Sequence, residues 1–163
     1  MSTVNLFADS DISCNDPYGW SNQAGWNGGW LSSPNIHLAL DLTSGTSHYI
    51  DAYDQDGSDF TTVFGLQNPG LTGVINSVTM HYSSDAIWKG IVTHGSTYND
   101  VDGKVWTVNP NTGVAWTWAE IDALNISYQV GGHGSDSHYF VYYFYITVNY
   151  TPPSAAAFFS FMD

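Results

Sequence analysis

The run His138–Pro153, HYFVYYFYITVNYTPP, constrains this chain more than any other stretch. It is a long series of aromatic and β-branched residues without a single Asp, Glu, Lys or Arg. Such residues favour a pleated strand over a helix, and Pro152 and Pro153 end it. Period-two alternation sends Tyr139, Val141, Tyr143 and Tyr145 one way. Phe140, Tyr142, Phe144, Ile146, Val148 and Tyr150 go the other way. Both faces are apolar or aromatic, so the strand is expected to be covered on both sides or to lie at a subunit interface.

The rest of the text supplies partners for it. IHLALDL, SHYIDAY, FTTVFGL, VINSVTMHYS, AIWKGIVTHG, VWTV and ISYQV read as short strands. Turn signals such as TSG, DQDGSD, NPGLTG, NPNTG and GGHGSDS punctuate them. In VINSVTMHYS, Val74, Val78, Met80 and Tyr82 share one face, with Asn76 the exception. One segment, TWAEIDAL, starts like a helix: Thr117 followed three residues later by Glu120 is a capping box. Trp118, Ile121 and Leu124 then share a face at helical spacing. No internal repeat of solenoid period is visible.

The expected fold is all-β, an antiparallel β-sandwich or jelly roll with one short helix. Its 163 residues, 43% of them hydrophobic, suit one domain with a sizeable core. Three segments are expected within it. Residues 1–35 form an irregular Gly-, Asn- and Trp-rich lead-in, residues 36–153 the β domain, and residues 154–163 an apolar tail, SAAAFFSFMD.

Charge narrows the function. Two basic residues, Lys89 and Lys104, face 15 acidic ones, for a net charge of -13. That balance repels phosphate backbones and argues against nucleic acid; it also disfavours anionic membrane surfaces. A phosphate site would lack its usual Lys or Arg clamp. The single cysteine, Cys14, rules out an internal disulfide and a thiolate zinc cage. MSTVNLFADSD lacks the basic and apolar regions of a secretory signal. No run approaches the roughly 20 apolar residues of a membrane span. A soluble chain made in a cytoplasm is expected.

Four constellations carry candidate chemistry. Trp20, Trp26 and Trp30, set among Gly and Asn, have the composition of a sugar-stacking surface; the alternative is that they plug one end of the fold. Asp51, Asp54, Asp56 and Asp59 surround Gly57 and could supply oxygens to a metal, calcium being the better fit; the alternative is a solvated turn. No other cofactor is expected. His133, Asp136 and His138, with His94 elsewhere, have zinc-type donors but read better as solvated loop residues. Glu120 and Asp122 stand two apart on the helix, too divergent for a glycosidase pair. No nucleophile-elbow motif occurs. The chain is not expected to be an enzyme.

INSVTMHY (Ile75–Tyr82), NPNTGVAWTWAEIDAL (Asn109–Leu124) and YITVNYTPP (Tyr145–Pro153) occur in that order. This set resembles a family of uncharacterised β-rich proteins encoded in the structural-gene clusters of tailed bacteriophages and related viruses. Members share an NSVTV strand, an NPxTGxAWTWxEIDAL turn–helix and a closing VxVxYTP strand. The resemblance covers about half of the chain; residues 1–35 and the tail depart from it. It implies a virion structural protein: a capsid decoration, turret, spike or tail-fibre component. Its partners would be further copies, other virion proteins and, for an exposed spike, host surface glycans. Phe158, Phe159, Phe161 and Met162 would supply an assembly interface. The alternative function is a carbohydrate-binding module or adhesin, calcium-dependent or not.

Overall fold

The computed structural model describes residues 1–14, 24–26, 29–31, 49–54, 60–84, 89–93, 102–130 and 137–154. Side-chain surroundings are described for 1–10, 63–83, 102–126 and 141–154. The fold is all-β and antiparallel with one short helix. The strands are β1 (Ser2–Cys14), β2 (Ala24–Trp26), β3 (Gly29–Leu31), β4 (Tyr49–Asp54) and β5 (Phe60–Leu66). They continue with β6 (Val74–Ser84), β7 (Lys89–Thr93), β8 (Val105–Trp106), β9 (Asn125–Val130) and β10 (Ser137–Thr151). The helix α1 is Trp118–Asp122.

The aromatic run after His138 is β10, and the other strands are arranged around it. β6 pairs along one edge of it, from Val141 to Thr151. The opposite edge is shared. β1 covers Tyr145–Tyr150 with Ser2–Phe7, and β4 covers Ser137–Val141. Beyond Phe7, β1 changes partner and pairs with β5 through Ala8–Cys14. β9 and β7 continue from β5. One strand thus takes part in two ladders, and register shifts between Ala8 and Ser10 and between Asp11 and Ser13 accompany the change.

Residues 1–35 are therefore not the irregular lead-in that their composition predicts. Ser2–Cys14 is a strand. Val4, Leu6 and Ala8 alternate toward the core, Leu6 and Ala8 being buried. Asn5, Asp9 and Asp11 along the strand have low strand propensity and hide that short alternation.

Two bulges correct the predicted faces. Between Val141 and Tyr143, β10 carries Tyr142 as an extra residue opposite β6. The phase shifts by one, so Val141 joins Phe144, Ile146 and Val148 in the core, and Tyr142 does not. On β6, Asn76 is the extra residue between Ile75 and Ser77. Ile75 is accordingly buried, while Val74, the predicted inward residue, is 66% exposed. Asn76 uses its side chain across the ladder, donating from Nδ2 to Thr151 Oγ1 at 3.1 Å.

The core joins both ladders to the helix. Phe64 and Leu66 of β5 meet Leu6 of β1, Val78 and Met80 of β6, and the inward row of β10. Ile121 of α1, Leu124 just after it and Ile126 of β9 complete it. Burying each of the larger side chains contributes about 2–3 kcal/mol before conformational entropy is charged against it.

Candidate functional site

The segment Asn109–Leu124 is built as an architectural corner. Asn109 is fully buried, yet each of its polar groups has a partner. Its N–H donates to the Val114 carbonyl at 2.8 Å, and its own carbonyl accepts from Gly113 N–H at 2.7 Å. Its side-chain Oδ1 accepts from Asn111 N–H at 2.8 Å, and Nδ2 donates to Glu120 Oε1 at 2.9 Å. Gly113 has a φ of 72°, a conformation that glycine adopts without strain.

The capping box forms as its spacing predicted. Glu120 N–H donates to Thr117 Oγ1 at 3.2 Å, and Thr117 N–H donates to Glu120 Oε2 at 2.8 Å. Both carboxylate oxygens of Glu120 are thus engaged in structure. Trp106 and Trp116 are buried. Trp118 packs edge-on against Tyr150, with ring centroids 5.2 Å apart, and its Nε1–H donates to the Gly73 carbonyl at 3.0 Å. Trp116 Nε1 finds no hydrogen-bond acceptor among the described residues.

A second constellation, which sequence reasoning missed, lies on the outer face of β1, β10 and β6. Cross-strand pairing sets Phe7 opposite Tyr145, and Tyr145 opposite His81. Tyr145 and His81 stack at 4.6 Å and 16°, while Phe7 and Tyr145 stand 5.5 Å apart. The centroid spacing of the stacked pair matches the roughly 4.8 Å between strands, so those rings stand upright on the sheet. The next rung is polar: Thr147 donates its hydroxyl to Asn5 Oδ1 at 2.8 Å, and Thr79 flanks it. Asp102 accepts from Tyr82 N–H at 2.9 Å, and its carboxylate lies 4.0 Å from His81 Nδ1. Desolvation, then the neighbouring Tyr143 and Asp102, raise the pKa of the Tyr145 phenol above its ordinary value. The signal for this face was present in the alternation of Asn5, Phe7, Tyr145 and Thr147. Only pairing reveals that they are neighbours.

An open cleft of ≈ 530 Å³ is lined by residues of β1 between Val4 and Asp9 and by the loop Gln67–Leu71. Asn5, Asp9, Gln67 and Asn68 supply its polar lining, and Val4 and Leu71 part of its apolar lining.

The sequence-predicted sites fall elsewhere. Trp26 lies in β2 opposite Gly29, and Trp30 in β3 opposite Gly25; Trp20 is outside the described residues. Asp51 and Asp54 belong to β4, paired with Phe140 and Ser137, while Asp56 and Asp59 are outside the described residues. His138 lies in β10 opposite Tyr53; His94, His133 and Asp136 are outside, as are Phe158, Phe159, Phe161 and Met162. Among the described residues no group of three or more His, Cys, Asp or Glu gathers as a metal site. Nor is any helix among them long and apolar enough to cross a membrane.

Comparison of the chain with protein-family models, curated proteins and solved structures gives no match in any of the three.

Proposed function

We propose that this chain is a non-enzymatic virion structural protein, a decoration, turret, spike or tail-fibre component that self-associates on the particle surface. The observation carrying this reading is the use made of the Asn109–Leu124 motif. Asn109, Gly113, Trp116, Thr117, Trp118 and Glu120 are engaged in turn formation, capping and packing. The one Glu of the chain is held by its cap and by Asn109, which favours an architectural role over acid–base chemistry. The partner change of β1 supports closure of the sheet into a sandwich, as strands that switch ladders do at sandwich corners.

The test is the molar mass of the full-length chain by size exclusion with light scattering, paired with electron microscopy of the same fraction. A closed assembly of fixed copy number is expected. Deleting Ser154–Asp163 should lower the mass while the circular dichroism spectrum is retained. A monomer at high concentration in both forms would refute the reading. Carbohydrate binding is the second reading, and the cleft beside β1 is the observation that favours it.

A further inference from the structure

The cleft beside β1 has a chemistry of its own, and the inference drawn from it rests on and deepens the carbohydrate reading and is independent of assembly. It begins with the main chain of Phe7. Its N–H donates to Gln67 Oε1 at 3.4 Å, and its carbonyl accepts from Gln67 N–H at 2.9 Å. Phe7 is in register with Tyr145, yet its own main-chain groups turn away from β10. In an antiparallel ladder this direction repeats at every second residue. The N–H and carbonyl of Asn5 and Thr3 therefore also turn away from β10. No strand among the described residues meets them there, because β5 takes up pairing only at Ala8. What lies along that edge at Asn5 is the open cleft.

We propose that this cleft is a binding site for a neutral saccharide. Its volume of ≈ 530 Å³ lies in the range of small-ligand sites. A sugar hydroxyl is donor and acceptor at once, and the cleft offers groups of both kinds. The edge peptide group of Asn5 has one donor and one acceptor, and the side-chain amides of Asn5 and Gln67 add N–H donors. Thr147 occupies Asn5 Oδ1 but leaves the Asn5 amide donors unclaimed among the described residues. Val4 and Leu71 give the C–H face of a pyranose an apolar surface. The lining contains Asp9 and neither Lys nor Arg, in a chain of net charge -13, so a sulfated, phosphorylated or uronic sugar is repelled. An extended peptide would need a run of free ladder positions. Thr3 and Asn5 are too few, since Gln67 already occupies Phe7.

Affinity gel electrophoresis of the full chain tests this, with dextran, mannan, galactan, xylan and a mixed-linkage β-glucan as neutral probes and hyaluronate as the anionic one. Retardation by at least one neutral probe is expected, unchanged by EDTA. Leu71→Trp, which fills the cleft, should weaken it at least tenfold. Gln67→Ala should weaken it severalfold while the melting temperature stays near that of the parent. Retardation by no neutral probe, or by hyaluronate alone, would overturn the proposal. So would binding that EDTA abolishes, or binding lost in Trp26→Ala and Trp30→Ala but kept in Leu71→Trp. A fall in molar mass with Leu71→Trp, without loss of sugar binding, would mark the cleft as a contact between copies and would also overturn it.

Discussion

Asn109 and Glu120, eleven residues apart, are joined by an amide–carboxylate hydrogen bond of 2.9 Å that ties the turn before α1 to its first helical turn. The same Asn109 holds the turn together from inside, through Asn111, Gly113 and Val114. Truncating its side chain removes the two side-chain bonds, to Asn111 and Glu120, and leaves their partners unsatisfied, while the main-chain bonds with Gly113 and Val114 remain. Asn109→Ala should destabilise the fold by about 2–4 kcal/mol. Thr117→Ala, which removes only the cap, should cost about 1 kcal/mol. Urea unfolding of the two variants checks the order. Equal losses would mean that the cap, not Asn109, carries the corner.

Gly73 is where the corner meets the sheet. Its carbonyl accepts the Trp118 indole N–H, and its φ is 122°. A Cβ built there would collide with the Thr151 carbonyl oxygen, which belongs to the backbone and cannot rotate aside. Gly73→Ala should therefore lose at least about 2 kcal/mol by the combined strain of conformation and contact. Gly70→Ala is the control. Its φ is 58°, but nothing lies within 4 Å of the added atom, so it should cost only the conformational part, about 1 kcal/mol. Thermal melts of the pair separate the two contributions.

The first two residues of β6 make the third prediction. Plain alternation points Val74 inward, whereas the bulge at Asn76 buries Ile75 and leaves Val74 66% exposed. Val74→Thr should change stability by less than about 0.5 kcal/mol. Ile75→Thr places a hydroxyl in the core and should cost about 2 kcal/mol or more. The reverse order would show that the strand runs without its bulge.

That pair also shows how far the sequence could be read. The strands, the turns between them and the capping box are local, and their residues announce them: Phe60–Leu66 and Thr117–Glu120 needed no partner to be recognised. A bulge is a relation between two strands. Asn76 broke the alternation of its own strand, which was a signal, but Tyr142 sat unremarked among other aromatics. The rung of Phe7, Tyr145 and His81 joins residues far apart in sequence, and the cleft depends on where β1 leaves β10. Alternation marks the faces of single strands but not which strands lie side by side, whereas the tryptophans and the Asp-rich turn are clustered within short segments of sequence.

Tyr145 gives the pH dependence. Its phenol is raised by desolvation first, then by Tyr143 and Asp102, so the folded chain holds that proton more tightly than the unfolded chain does. The sign follows from linkage. The contribution to stability is fully present below the ordinary tyrosine value near 10 and is lost as pH rises through the higher folded value. Tyr145→Phe has no proton to lose there. It should therefore lose less stability than the parent between neutral pH and about pH 11, whatever its stability at neutrality. Urea midpoints of both proteins across that range test the claim, with phenolate absorbance recording the titration of the remaining tyrosines. A constant difference between parent and variant across the range would show that the phenol ionises as freely in the folded chain as in the unfolded one.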